Sequence, residues 1–102
     1  MNKMLDETQA LKNKQMRGQI IRTLTLFYPD PTSISNIRTA LITRGITATG
    51  EMNKHLTYLE DKEYIKSTEG FIKDATDDDM IMLTAKGIDL VEGTINDLGV
   101  IL

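Results

Sequence analysis

The sequence predicts a mostly α fold with a small β-hairpin, of the α+β class, and three observations carry the prediction. Within Thr47 to Ile65, TATGEMNKHLTYLEDKEYI, the side chains of Met52, Leu56 and Leu59 recur at i, i+4 and i+7, the spacing of one helical stripe. After Lys62 the period changes, so that Tyr64-Ile65-Lys66-Ser67-Thr68 reads as a strand and Met80-Ile81-Met82-Leu83 as a second, more continuously apolar one. A further helix opens near Thr84 or Ala85.

The first helix is expected from about Lys3 to Tyr28, with Met16, Ile20, Leu24 and Phe27 on one face and Ile21 and Tyr28 widening it. Pro29-Asp30-Pro31 stops it. Gly18 costs roughly 1 kcal/mol relative to alanine inside a helix, so it marks either a bend or a close approach. Ser33 or Ser35 then caps a second helix whose buried stripe is Ile37, Ala40 and Leu41 and whose left-handed stop is Gly45. The turn Ile46-Thr47-Ala48 is too short for antiparallel packing, so the next helix must cross at a steep angle. That is helix-turn-helix geometry, spanning about residues 33–62.

The third helix is capped by Thr47 or Thr49, with Glu51 in its first turn at the positive end of the macrodipole. Opposite its apolar stripe lie Thr49, Glu51, Asn53, Lys54 and Thr57, with Gly50 adding little bulk. Such side chains reach base edges and phosphates if the helix lies in a major groove. Any surface helix has a polar face, so the order of elements carries the argument. The hairpin region spans about residues 64–84. Between its strands, Glu69 to Asp79 holds Gly70 and the aspartates Asp74, Asp77, Asp78 and Asp79, with Phe71-Ile72-Lys73 extending the first strand. The last helix, about residues 85–96, carries Ile88, Val91 and Ile95 with Leu90 flanking, before Gly99 and the apolar Val100-Ile101-Leu102.

Composition narrows the function classes. At 102 residues the chain suits one domain with a modest core. Its 40% hydrophobic and 26% charged residues are ordinary for a soluble protein, and no apolar run reaches membrane-spanning length. The N-terminal MNKMLDETQALKNK lacks the apolar core of a secretory signal, so the cytoplasm is expected. With zero cysteines, disulfides and thiolate chemistry are excluded. No nucleophile elbow, phosphate-cradling glycine loop or two-histidine metal motif is present, which predicts neither an enzyme nor a bound cofactor or metal. His55, the one histidine, is expected half-buried and packed rather than ligating.

The run SISNIRTALITRGITATGEMNKHLTYLEDKEYI, followed after the hairpin by LTAKGIDL, resembles the winged helix-turn-helix DNA-binding domains of bacterial regulators of the MarR, ArsR and PadR kind. With the small size and the ending LVEGTINDLG, the chain also resembles small winged-helix proteins of Mu-like phages and prophages. The resemblance implies that the hairpin is a wing, that double-stranded DNA is the partner, and that the function is transcriptional regulation. It places Thr49, Gly50, Glu51, Asn53, Lys54 and Thr57 at the major groove, with Arg38 and Arg44 on backbone phosphates.

Two features depart from that pattern. Glu63 stands where such domains commonly carry glycine, so a left-handed residue there is strained or the corner is built differently. The wing is acidic, and Asp77, Asp78 and Asp79 repel phosphates. They lack the alternating ligands and distal glutamate of an EF-hand, which leaves a solvated turn or a surface for a basic protein partner. The net charge of −3 also opposes DNA binding, so a basic face must come from Arg17, Arg22, Arg38, Arg44, Lys54 and Lys62. Met4, Leu5 and Leu11 at one end and Leu98, Val100, Ile101 and Leu102 at the other lack an obvious place in a small core, which predicts a homodimer through the N-terminal helix and C-terminal tail. The alternative function is a winged-helix protein-interaction module that does not bind DNA.

Overall fold

Asp6 accepts the backbone N–H of Gln9 at 2.7 Å and Glu7 occupies the first turn, which satisfies an orphan donor and complements the dipole at the start of α1 (Glu7–Thr25). The computed structural model describes residues 6–46 and 52–102, so Lys3, Met4 and Leu5 lie outside the described residues. After Thr25 the backbone tightens, with Phe27 N–H and Tyr28 N–H both donating to the Leu24 carbonyl at 3.1 Å. The helix therefore ends before Tyr28. Ile20, Ile21 and Leu24 are buried and Met16 packs partly against them, but Phe27 and Tyr28 remain 39% and 41% exposed, a correction to the expected stripe.

Next come β1 (Thr32–Ser33), α2 (Ile34–Thr43), α3 (Met52–Asp61), β2 (Ile65–Ser67), a 3₁₀ turn at Ile72–Asp74, β3 (Met80–Leu83) and α4 (Ala85–Val91). The architecture is α+β: among the described residues, four helices and a three-stranded antiparallel sheet of order β1-β3-β2. Ile65 pairs with Leu83 and Ser67 with Ile81, while Thr32 pairs with Ile81 from the other side. Strand β1 was not expected, because two residues carry no periodicity. Ser33 serves twice, as a strand residue and as the cap of α2, its hydroxyl accepting the Asn36 N–H at 3.0 Å.

Three helices end alike. At α2, Gly45 N–H donates to Ile42 O and Ile46 N–H to Leu41 O, both at 2.9 Å, with Gly45 at φ +79. This pair of hydrogen bonds is the Schellman motif, and the left-handed residue it needs is the predicted glycine. At α4, Gly93 and Thr94 make the same pair to Leu90 O and Asp89 O, which stops the helix at Val91, short of the expected residue 96. There Leu90 is the buried anchor and Ile88, Val91 and Ile95 pack partly against the core. At α3, Glu63 and Tyr64 donate to Glu60 O at 2.8 Å and Leu59 O at 3.0 Å, with Glu63 at φ 68. The corner has ordinary geometry with a residue that pays a left-handed penalty of about 1 kcal/mol.

The β2–β3 connection does not extend the first strand as expected. Gly70 at φ +70 turns the chain aside, and Ile72 is fully buried beside α3, its N–H donating to Glu60 Oε2 at 3.2 Å. The core joins Ile20, Ile21 and Leu24 of α1 to Ile34, Ile37 and Leu41 of α2, Met52, Leu56 and Leu59 of α3, and Ile65, Ile81 and Leu83 of the sheet. Ala40, expected in the α2 stripe, is only partly buried, and Ile34 takes the inner position.

Gly18 marks a close approach, not a bend. A Cβ there would lie 1.6 Å from the Ile101 carbonyl oxygen. The C-terminal segment is seated in that gap, with Ile101 N–H donating to Lys14 O at 3.1 Å and Val100 only 6% exposed.

Candidate nucleic-acid interface

Helix α3 presents a clean division. Met52, Leu56 and Leu59 are at most 1% exposed, and they fix the inner face at the predicted spacing. His55 joins them at 4% exposure, deeper than the half-burial expected, because it falls between Met52 and Leu59 on the same side. Asn53 and Lys54 are exposed and Thr57 partly so. Thr49, Gly50 and Glu51 lie outside the described residues. Asp61, outside the set of residues expected to face DNA, is exposed one turn after Thr57 on the same face, as its i+4 spacing indicates. The outer face therefore carries Lys54 and Asp61 as opposite charges.

The two arginines expected on phosphates have partners within the chain. Arg38 Nη1 lies 3.0 Å from Asp77 Oδ1. Arg44 reaches back to α1, donating to the Thr23 hydroxyl and, at 3.4 Å, to the Gln19 carbonyl. Arg17 and Lys62, also expected in a basic face, are engaged elsewhere: the Arg17 guanidinium lies 3.7 Å from the centre of the Tyr58 ring, and Lys62 Nζ is 3.4 Å from Asp97 Oδ2. A continuous basic face is not formed by these four.

The acidic connection has a structural job. Ile34 and Ser35 N–H groups donate to the Asp79 and Asp77 carbonyls, both at 3.0 Å, and Thr76 N–H donates to Asp79 Oδ2 at 2.6 Å. Helix α2 has no acidic residue in its first turn, so this loop brings negative charge to its positive end. Asp79 and Asp77 thus satisfy donors at the start of α2, and Asp77 also holds Arg38.

A second polar cluster joins α3 to the C-terminal segment. Tyr64 OH donates to Asp97 Oδ2 at 2.5 Å, Gly99 N–H donates to Asp97 Oδ1 at 2.7 Å, and Arg17 Nη1 donates to the Gly99 carbonyl at 3.1 Å. Burial, then the hydrogen bond to Asp97 and its negative charge, push the Tyr64 phenol up to about 12. Burial alone would raise the Asp97 carboxyl, but the Tyr64 and Gly99 hydrogen bonds and the Lys62 ammonium outweigh it and leave it below its ordinary value. Nothing in the sequence flagged this cluster, since its members are separated by up to 82 positions.

Comparison with protein-family models, with curated proteins and with solved structures finds no match to the chain. Among the described residues, no helix is long and apolar enough to cross a membrane.

Proposed function

We propose that the chain is a winged helix-turn-helix protein that binds double-stranded DNA with α3 in the major groove, as a transcriptional regulator of the kind carried by phages and prophages. The observation that carries this reading is α3 itself, pinned by Met52, His55, Leu56 and Leu59 with Asn53 and Lys54 turned outward. The order α1-β1-α2-α3-β2-β3-α4, with β1 added to the β2–β3 pair as a third strand, supports it. In this role Lys54 holds a phosphate and Asn53 reads an adenine edge, with Thr57 beside them.

Because Arg38 and Arg44 are held within the chain, one protomer offers few phosphate contacts, and affinity depends on two copies. Leu11, Leu98 and Ile101, at 47%, 83% and 41% exposure, lie on α1 and the C-terminal segment and form the proposed dimer seam. A two-fold dimer places two α3 helices about one turn of DNA apart.

The test is selection of bound fragments from a pooled source genome at about 0.1 M salt, where screening over about 10 Å suppresses weak adhesion. An enriched site, lost in Lys54→Glu while the fold persists, supports the reading. No enriched site sinks it. That outcome favours a protein-interaction module, a second reading supported by the acidic connection and by Phe71, which stands 68% exposed beside it.

A further inference from the structure

We propose that residues 97–101 act as an intramolecular strap that regulates the α3 site by tying the C-terminal half of α3 to α1. This inference deepens the DNA-binding reading and rests on it for its functional half.

The strap has two separate attachments. On α1 it is seated by the Ile101 N–H bond to Lys14 O at 3.1 Å and by the Arg17 bond to Gly99 O at 3.1 Å, in a gap that exists only because residue 18 is glycine. On the α3 side, Asp97 takes Lys62 at 3.4 Å and Tyr64 at 2.5 Å, one and three residues past the end of α3, and its side chain is only 10% exposed. Between the attachments Tyr58 of α3 is held from two sides. Arg17 of α1 stacks on its ring at 3.7 Å, and Gly99 sits so close that a Cβ there would fall 2.2 Å from the Tyr58 hydroxyl.

Residues 53, 54 and 57 lie on the same short helix as Tyr58, so whatever fixes Tyr58 and Lys62 fixes the angle of the outer face. A binding face must be held within a fraction of an ångström to keep its affinity. The seated strap supplies that preorganisation, and whatever lifts it off α1 loosens α3 and weakens DNA binding.

Two substitutions cut the strap at different ends. Gly18→Ala removes its seat on α1 while favouring the helix, and Asp97→Ala removes its hold on α3. Amide exchange reads the result at Ile101, at Lys62 and Tyr64 after α3, and at Arg44 after α2 as an internal control. Either cut should speed exchange at Lys62 and Tyr64 by about tenfold with Arg44 unchanged, and the double variant should go little further, because one strap is broken twice. Unchanged exchange at Lys62 and Tyr64 in either single variant overturns the strap, as does a double variant whose effects multiply.

DNA retention is measured on the same variants. A loss of about fivefold in each, with the oligomeric state unchanged in analytical ultracentrifugation, supports regulation, whereas a loss that follows dissociation of the dimer overturns it. Full retention with a loosened α3 overturns the regulatory half. A wild-type chain that retains no DNA overturns the binding reading instead, and the exchange measurements then decide the strap without it.

Discussion

Helices α2 and α3 each run ten residues, set their apolar side chains into the same core, and close with the same pair of backbone hydrogen bonds, yet their surroundings differ. Helix α2 begins inside the acidic connection, caps itself with Ser33, ends on Gly45, and has its two arginines bonded within the chain. Helix α3 turns Asn53 and Lys54 outward, ends on a left-handed Glu63, and is held at its C-terminal end by Arg17 and Asp97 from other parts of the chain. The difference teaches that equal burial does not make equal roles. Both helices are held by partners distant in sequence, but those of α2 occupy its arginines, whereas those of α3 fix its C-terminal end and leave Asn53 and Lys54 exposed.

The largest test of that comparison is to remove one anchor from each helix. Leu41 and Leu56 are both fully buried, so Leu41→Ala and Leu56→Ala should each cost about 2–5 kcal/mol in urea unfolding. Asn53→Ala on the outer face of α3 should stay within about 0.5 kcal/mol while weakening DNA retention. A cost at Asn53 comparable with that at Leu56 would falsify the division of α3 into an anchoring and a presenting face.

The corners come next, and there the helices should respond with opposite signs. Gly45 sits at φ +79 with nothing within 4 Å of a built Cβ, so Gly45→Ala should lose about 1 kcal/mol from conformation alone. Glu63→Gly relieves the same conformation and should gain about 0.5–1 kcal/mol after the greater freedom of an unfolded glycine is counted. The Glu63 side chain is 80% exposed and its carboxylate lies 3.9 Å from Lys86, so little is lost with it. Thermal unfolding of the pair checks both signs, and a destabilised Glu63→Gly means the carboxylate holds more than this contact shows.

These elements also mark how far the sequence could be read. The inner face of α3 was legible because three apolar residues at helical spacing admit one buried side, and Gly45 because a helix stop followed by a short turn calls for a left-handed residue. Glu63 was legible only as an anomaly. Strand β1 was hidden by its two-residue length, and the 3₁₀ turn at Ile72 by an apolar run that suits a strand equally well. The strap was invisible, because Arg17, Tyr58 and Asp97 meet only after the chain has folded. For the candidate site, the exposure of Asn53 and Lys54 followed from periodicity, but the partners that occupy Arg38 and Arg44 depend on long-range packing.

The third effect appears only at the ends of the pH scale and belongs to the α3 side. Asp97 has its folded pKa lowered, so the stability it confers is present above the ordinary carboxylate range and is lost as pH falls below about 4 toward the folded value. Tyr64 has its folded pKa raised from 10.0 to about 12, so its contribution is complete below pH 10 and is lost as pH rises between those values. Asp97→Asn should remove this carboxyl's acid limb from a stability-against-pH curve and shrink the alkaline limb, the larger part of which comes from burial of Tyr64. An unchanged alkaline limb would show that burial, without the Asp97 bond, governs Tyr64.

The smallest expected effect on stability has the sharpest functional consequence. Arg38 and Asp77 form an ion pair with side chains 30% and 67% exposed, so Asp77→Asn should cost only about 0.2–1 kcal/mol, and less in high salt. The bond from Ser35 N–H goes to the Asp77 backbone carbonyl, so the start of α2 keeps its partner in this variant. What changes is the charge beside Arg38. If α2 flanks DNA, as the resemblance to winged-helix domains implies, releasing that arginine adds a phosphate contact, and retention should rise although the fold is slightly weaker. The slope of log affinity against log salt should steepen by about 0.9, the value for one more neutralised phosphate. A fall in retention with an unchanged slope would mean that the acidic connection belongs to the binding surface and does not restrain it, and the contrast between a closed α2 and an open α3 would then have to be redrawn.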